Sequence, residues 1–301
     1  MHQPTCIVIA GPTAVGKTAI AIQLARHFNT AILSFDSRQC YKQLNIGVAT
    51  PTQYELAQAP HYFIGSHSIH DTVNAAVYEQ YALQTVQTIF KTSPVAILVG
   101  GTGLYARAFC EGIDALPAIN PAVRQQLNEQ YATHGLQWLQ QQVLLYDAAY
   151  YHTAEIQNPR RMLRALEVKL STGQSILSYQ TQQKKQRPFT IVKIGLQLPR
   201  PVLYQRINQR VEEMMQQGLL AEVQQLLPCR HLTALQTVGY RELFEYIDGE
   251  LTLQQAVENI KTNTRHYAKR QITWFSKDAD MQWCSPELNE VLSLLPPIPR
   301  P

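Results

Sequence analysis

The sequence predicts an α/β protein: a P-loop NTPase-like parallel sheet flanked by helices, interrupted by an all-helical insertion. Three observations carry that expectation. The apolar run Ile7, Val8, Ile9, Ala10 passes straight into a glycine-rich stretch and then into an amphipathic segment. Through the first third of the chain, apolar runs of strand length alternate with helix-patterned segments, the order that builds a parallel sheet covered on both faces. Beyond Gly112 strand signals stop, and they return only near Phe189.

In chain order, the opening strand and glycine loop lead to a helix from about Lys17 to Phe28. A second short strand, Ala31 to Phe35, ends at Asp36. A helix around Val77 to Phe90 precedes a third strand, Val95 to Val99, which runs directly into Gly100 and Gly101. From Asn120 to about Gln186 the pattern is helical and rich in Gln, Arg and Leu. Asn120-Pro121 and Asn158-Pro159 each place a capping side chain before a first-turn proline. Strand character resumes over Phe189 to Leu198, followed by helices at about Val202 to Gln217 and Leu253 to Phe275. The expected organisation is a core of residues 1–112 and 187–301 with an insertion at 113–186, and the proline-rich tail, 296–301, is expected to fray.

The 301 residues are 45% hydrophobic, enough for a large buried core, and the net charge of +4 is too small to establish a nucleic-acid partner by itself. Five scattered cysteines without CxxC spacing give neither a zinc site nor a disulfide framework and suit a reducing compartment. No apolar stretch approaches membrane-spanning length, so a cytoplasmic protein without a membrane partner is expected.

The sharpest motif is Gly11, Pro12, Thr13, Ala14, Val15, Gly16, Lys17, Thr18, which fits GxxxxGK[ST] between a strand and a helix. In such a loop, backbone N–H groups point into a concavity that cradles phosphate oxygens, and the helix adds its positive dipole end. Lys17 supplies a charge for the terminal phosphates, and the Thr18 hydroxyl can ligate Mg²⁺, the expected cofactor. A P-loop ATPase usually carries an acid at the end of a second hydrophobic strand. Here the strand Val95 to Val99 ends in Gly100-Gly101-Thr102, so Asp36 is the acid placed at a strand end, as a metal ligand or a catalytic base. Arg206 and Arg210, one helical turn apart, can face the same phosphates. Two basic helix faces are visible, Arg160 with Arg164, and Lys261 with Arg265 and Lys269. Either alone reads as a solvated face; the two together favour RNA contact.

These blocks, in this order, carry a resemblance. The chain has GPTAVGKT at Gly11 to Thr18, then Asp36-Ser37-Arg38-Gln39-Cys40-Tyr41, Pro60-His61-Tyr62 and Gly100-Gly101-Thr102-Gly103-Leu104-Tyr105. Further on are Arg160-Arg161-Met162-Leu163-Arg164, Val238-Gly239-Tyr240-Arg241 and Lys269-Arg270-Gln271-Ile272-Thr273-Trp274. Over nearly its whole length the chain resembles the tRNA dimethylallyltransferases. Two departures stand out. Val48 and Thr50 replace a usual threonine and lysine, and Val15 replaces a common serine.

The resemblance implies transfer of a dimethylallyl group from dimethylallyl diphosphate to the exocyclic amine of the adenosine 3′ to the anticodon (position 37) of tRNA, by a chain acting as a monomer. It implies Asp36 as the base, with Thr102 beside the acceptor. It places the donor diphosphate on the phosphate loop with Arg210. It also implies tRNA contacts at Asp36, Ser37, Arg38, Gln39, Thr102, Arg124, Arg160, Arg161, Met162, Leu163 and Arg164. Gln236, Thr237, Val238, Gly239, Tyr240, Arg241, Lys269 and Arg270 complete that set. The competing readings are a small-molecule kinase, a prenyltransferase of free adenine nucleotides, and a nucleotide-binding RNA module without chemistry. A basic insertion argues against the first two, and Asp36 beside a complete phosphate loop against the third.

Overall fold

In the computed structural model, residues 3–181 and 183–298 are described; the end of the tail, 299–301, lies outside them. Strand β1 (Thr5–Ala10) is buried at every position and feeds the phosphate loop, after which helix α1 (Lys17–His27) begins. Ile20, Ala21, Leu24 and Ala25 recur at the spacing that keeps one helical face on the sheet, and Arg26 and His27 sit in the last turn, where cations offset the helix dipole. Next come β2 (Ile32–Ser34), the single-turn α2 (Gln53–Leu56), β3 (His61–Tyr62) and α3 (Ala75–Ile89), whose Asn74 cap accepts from Ala76 and Val77. Strand β4 (Val95–Val99) then leads to α4 (Gly103–Glu111).

The insertion follows. Helix α5 (Pro121–Tyr146) is broken at Gly135, whose φ of +73° no helix accommodates. Helices α6 (Ala148–Thr153) and α7 (Pro159–Thr172) complete it, and Asn120 and Asn158 cap as their Asn-Pro sequences predict. Leu139, Val143, Tyr150, Met162 and Leu166 form its core. The chain partitions into one compact unit spanning Ile113–Lys185 and another from the residues before and after it.

On its return the chain forms β5 (Thr190–Leu196), α8 (Arg200–Gln216), α9 (Leu219–Gln225), α10 (Tyr240–Ile247), α11 (Leu253–Phe275), β6 (Gln282–Cys284) and α12 (Leu288–Ser293). The six strands form one parallel sheet in the order β3-β2-β4-β1-β5-β6. β1 is central: Ile7 pairs with Ile97 on one side and Val192 on the other. One face packs Ile7, Ile9, Ile97 and Ile194 against Ile20, Leu24 and Phe28 of α1 and its C-cap, while Val8 and Leu98 of the other register are equally buried. Coverage on both faces is why these strands read as unbroken apolar runs.

Arg187 secures the re-entry. Its guanidinium bonds the carbonyls of Phe109 (2.7 Å) and Ala108 (2.8 Å) at the end of α4 and pairs with Glu79 of α3 at 2.8 Å. The expected basic face of α11 needs correction. Lys261 pairs with Glu212 (3.0 Å) and Glu258 (2.8 Å), and Arg265 donates to Asn208 at 2.7 Å and covers the Tyr204 ring. Packing of α8 against α11 therefore consumes two of the three cations. Among the described residues no helix is long and apolar enough to cross a membrane.

Candidate active site

Three loops leave the carboxyl ends of β1, β2 and β4, which are neighbours in the sheet, so a parallel layout gathers them at one edge. The first is the phosphate loop. Gly16 has φ +108°, which lets the chain turn directly into α1. Lys17 keeps some exposed surface as a residue, but its ammonium turns back onto the loop and donates to the carbonyls of Gly11 (2.9 Å) and Pro12 (2.7 Å). Burial, and then the neighbouring Arg210, bring its pKa down to about 7, while Asp36 pulls the other way. Arg210 reaches the Thr13 hydroxyl and Arg206 the Val15 carbonyl, both at 3.4 Å, so the two arginines of α8 do converge on the loop. Burial holds the Arg210 pKa below its ordinary value.

Val15 is fully buried in the core between α1 and the sheet, so its replacement of serine lies on the side away from the concavity. The Thr18 hydroxyl makes no hydrogen bond among the described residues, and no group of three metal-ligating side chains occurs among them. A metal here would take the Thr18 hydroxyl together with oxygens of substrate and water, the usual manner for Mg²⁺.

The second and third loops carry Asp36 and Thr102. Asp36 Oδ1 accepts from the backbone of Arg38 (2.8 Å) and Gln39 (3.3 Å), closing the turn after β2, and Oδ2 accepts no hydrogen bond among the described residues. The Thr102 hydroxyl accepts from the Ser37 N–H at 3.0 Å and donates to the Ser37 hydroxyl at 3.3 Å. Tyr267 of α11 faces the same hydroxyl; burial, and then Asp36, push its phenol pKa up.

Two side chains not expected at the site organise these loops. Gln271 of α11, 5% exposed, accepts from the Thr13 N–H at 2.8 Å and donates to the Gly101 carbonyl at 2.9 Å. Glu222 of α9 accepts from the backbone of Asn45 (3.2 Å), Ile46 (2.8 Å) and Gly47 (3.1 Å) and from the Tyr240 hydroxyl at 2.6 Å. The loop it holds is tied to the Asp36 turn, because Gln39 Nε2 donates to the carbonyls of Val48 (3.2 Å) and Ala49 (2.9 Å). Gln39 uses only backbone atoms of that loop, so the side chain at position 48 is not part of the tie. Thr50 donates to the Leu44 carbonyl at 3.2 Å and holds its own turn.

The residues expected to meet tRNA divide by exposure. On the insertion, Arg160 is exposed without an ion pair among the described residues and lines an open groove of about 640 Å³ with Asn128, Tyr131 and Asn158. Arg161 pairs with Glu155 at 2.8 Å, while Arg124 and Arg164 both reach the buried Glu167, at 3.1 Å each. Met162 faces inward, 0% exposed in the insertion core, so its side chain has no face for RNA. Leu163, at 9%, keeps only an edge on the groove. In the other unit Gln236 and Arg241 are exposed, and Thr237 and Val238 partly so. Gly239 is buried, and the Tyr240 side chain is buried too, held by Glu222, which leaves that side chain no face for RNA. Lys269 and Arg270 are exposed, Arg270 lying over the Tyr267 ring, and Arg38 donates to the Thr233 carbonyl at 3.1 Å.

The IPP transferase family model matches residues 39–278. The chain is 46% identical over 293 residues to the tRNA dimethylallyltransferase 1 of Bacteroides thetaiotaomicron, covering 97% of this chain and 95% of that protein. It is also similar to the crystal structure of the full-length tRNA isopentenylpyrophosphate transferase from Bacillus halodurans, with a TM-score of 0.71, 32% identity and coverage of 97% and 94%. A eukaryotic dimethylallyltransferase acting on tRNA shares the fold, with a TM-score of 0.77 at 24% identity over 94% of this chain and 74% of that one.

Proposed function

The chain belongs to the IPP transferase family, and from that premise we propose its reaction in full. It is a transferase that prenylates tRNA. The donor is dimethylallyl diphosphate, the acceptor is N6 of the adenosine 3′ to the anticodon at position 37, and the enzyme works as a monomer in the cytoplasm. One observation carries this reading. A diphosphate cradle with Lys17, Arg206 and Arg210 sits at the same sheet edge as a carboxylate, Asp36, that keeps one oxygen free.

In this reaction the allylic carbon–oxygen bond of the donor breaks, and a carbon–nitrogen bond to N6 forms. The departing diphosphate gathers charge, and Lys17 and Arg210 stabilise it in a site from which water is partly excluded. Protonated Lys17 has a third N–H beyond those given to the Gly11 and Pro12 carbonyls, and the approach of an anion favours that protonated form. The Thr18 hydroxyl would hold Mg²⁺, which would supply further charge stabilisation to the leaving group. The amine becomes acidic as it attacks, and Asp36 Oδ2 takes the proton while Oδ1 stays fixed by the turn. Thr102, held against Ser37, contacts the acceptor on the same side. An adenosine stacked in an anticodon loop must leave the stack to present N6, which requires the RNA to be gripped. Arg160, Arg241, Lys269 and Arg270, each exposed, are the proposed phosphate contacts.

The test is incubation with unmodified tRNA and either dimethylallyl diphosphate or ATP, followed by nucleoside mass analysis. A dimethylallyl-adenosine product with the first donor supports the reading. Product formed only with ATP, or no adduct with saturating donor and tRNA, refutes it.

A further inference from the structure

We propose that Gln271 is a positioning residue of the transfer reaction, setting the spacing between the loop that holds the leaving group and the loop that carries Thr102. The inference rests on the prenyl-transfer reading and adds a residue to it.

Gln271 lies at the middle of a basic, outward-looking block, yet it is 5% exposed and both of its amide atoms are committed. Its carbonyl takes the Thr13 N–H, a donor inside the phosphate loop, and its amino group holds the Gly101 carbonyl in the loop after β4. One planar amide thus spans two loops that the sheet alone leaves independent. The neighbouring backbone is fitted to it: a Cβ at Gly101 would lie 2.0 Å from Gln271 Nε2, and a Cβ at Gly103 would lie 2.1 Å from the Trp274 ring. Tyr267, Gln271 and Trp274 recur at i, i+4 and i+7, so one face of α11 meets Thr102, Gly101 and Gly103 in succession. Thr102 therefore stands between two glycines pressed against the helix, and the helix reaches through Gln271 to the phosphate loop. The Thr13 N–H is taken by Gln271, which leaves the Thr13 hydroxyl, gripped by Arg210, as that residue's group facing the diphosphate.

If Gln271 sets this spacing, its removal displaces the acceptor from the allylic carbon while every group that touches either substrate is still present. Displacements of about 1 Å lower rates by roughly 10²-fold. Single-turnover rates at saturating donor and tRNA should therefore fall about 10- to 100-fold in Gln271→Leu, with tRNA affinity unchanged.

The discriminating variant is Gln271→Glu. A protonated carboxyl has one donor and one acceptor and reproduces both bonds, whereas a carboxylate faces the Gly101 carbonyl with a second acceptor. The ratio of variant to wild-type rate should rise as pH falls through the variant's carboxyl pKa, which burial raises. The charged and titratable groups around it, Lys17, Asp36, Arg210 and Tyr267, are present in both proteins, and the wild-type profile serves as the reference. A core-packing role would move melting temperature in both variants and leave the ratio flat with pH. A flat ratio, or a folded Gln271→Leu with wild-type single-turnover rate, overturns the proposal. Absence of prenylated product with the wild-type protein itself would instead strike the underlying reading.

Discussion

Replacing Asp36 by Asn separates two roles that share one side chain. Oδ1 caps the turn after β2 by accepting from Arg38 and Gln39, and Oδ2 is the oxygen left to take a proton. Asn keeps an oxygen for the first role and offers an NH₂ group for the second, so the turn survives and the base does not. By contrast, Asp36→Ala gives up both turn bonds, each a net contribution of about 0.5–1.5 kcal/mol, so a stability loss of about 1–3 kcal/mol would confuse the kinetics. For Asn, loss of a general base predicts a rate lower by roughly 10²–10⁴-fold, or about 2.7–5.4 kcal/mol on the barrier. The assay is the single-turnover rate on unmodified tRNA across a Mg²⁺ series, with tRNA affinity and melting temperature followed in parallel. A low rate insensitive to Mg²⁺, with RNA still bound, is the expected outcome. Full rescue by added Mg²⁺ would make Asp36 a metal ligand, and an unchanged rate would remove it from the chemistry.

Lys17, with its pKa brought down to about 7, is mostly neutral at pH 8 in the free protein, so diphosphate binding should take up close to one proton there. Calorimetry in buffers of different ionisation enthalpy reads this, and Lys17→Ala should abolish both the uptake and donor use. Because that pKa lies below the ordinary lysine value of 10.5, the unfolded chain holds the proton more tightly, and the unliganded protein should gain stability as pH rises from about 7 toward 10.5. Arg160→Ala with Arg164→Ala should weaken tRNA binding and lower its salt slope by about 0.7–0.9 for each phosphate no longer neutralised. Most of the change should come from Arg160, since Arg164 is held by Glu167. An unchanged slope would make both a solvated face. Arg187→Met should cost about 1–3 kcal/mol in denaturant unfolding, because it strips two α4 carbonyls of their donor and removes one ion-pair partner of Glu79. A midpoint within error of wild type would show that the pair contributes nothing.

Much of the scaffold was legible because it is local. Ile7 to Ala10 and Val95 to Val99 are covered on both faces of the sheet, which leaves an unbroken apolar signature. The phosphate loop, Asp36 and Thr102 were readable for the same reason: each follows its own strand, and a parallel sheet brings strand ends together without further information. The strands His61–Tyr62 and Gln282–Cys284 were not, since two or three residues at a sheet edge carry no period.

What spacing along the chain cannot encode is which polar side chain turns inward. Gln271 stands between exposed Arg270 and exposed Ile272, and Lys261 and Arg265 look like a solvated stripe until α8 supplies Glu212 and Asn208. Tyr240 sits in a block expected to face RNA, yet its side chain is buried and held by Glu222, 18 residues away. The strand-end positions could be read from residue order alone, because the phosphate loop, Asp36 and Thr102 are placed by the strands they follow. The partners of Gln271, Glu222 and Arg187 emerged only on folding, because a buried hydrogen bond depends on a second group far along the chain. Gln271 and Gly101 stand 170 residues apart, Glu222 and Ile46 stand 176 apart, and no local pattern joins either pair.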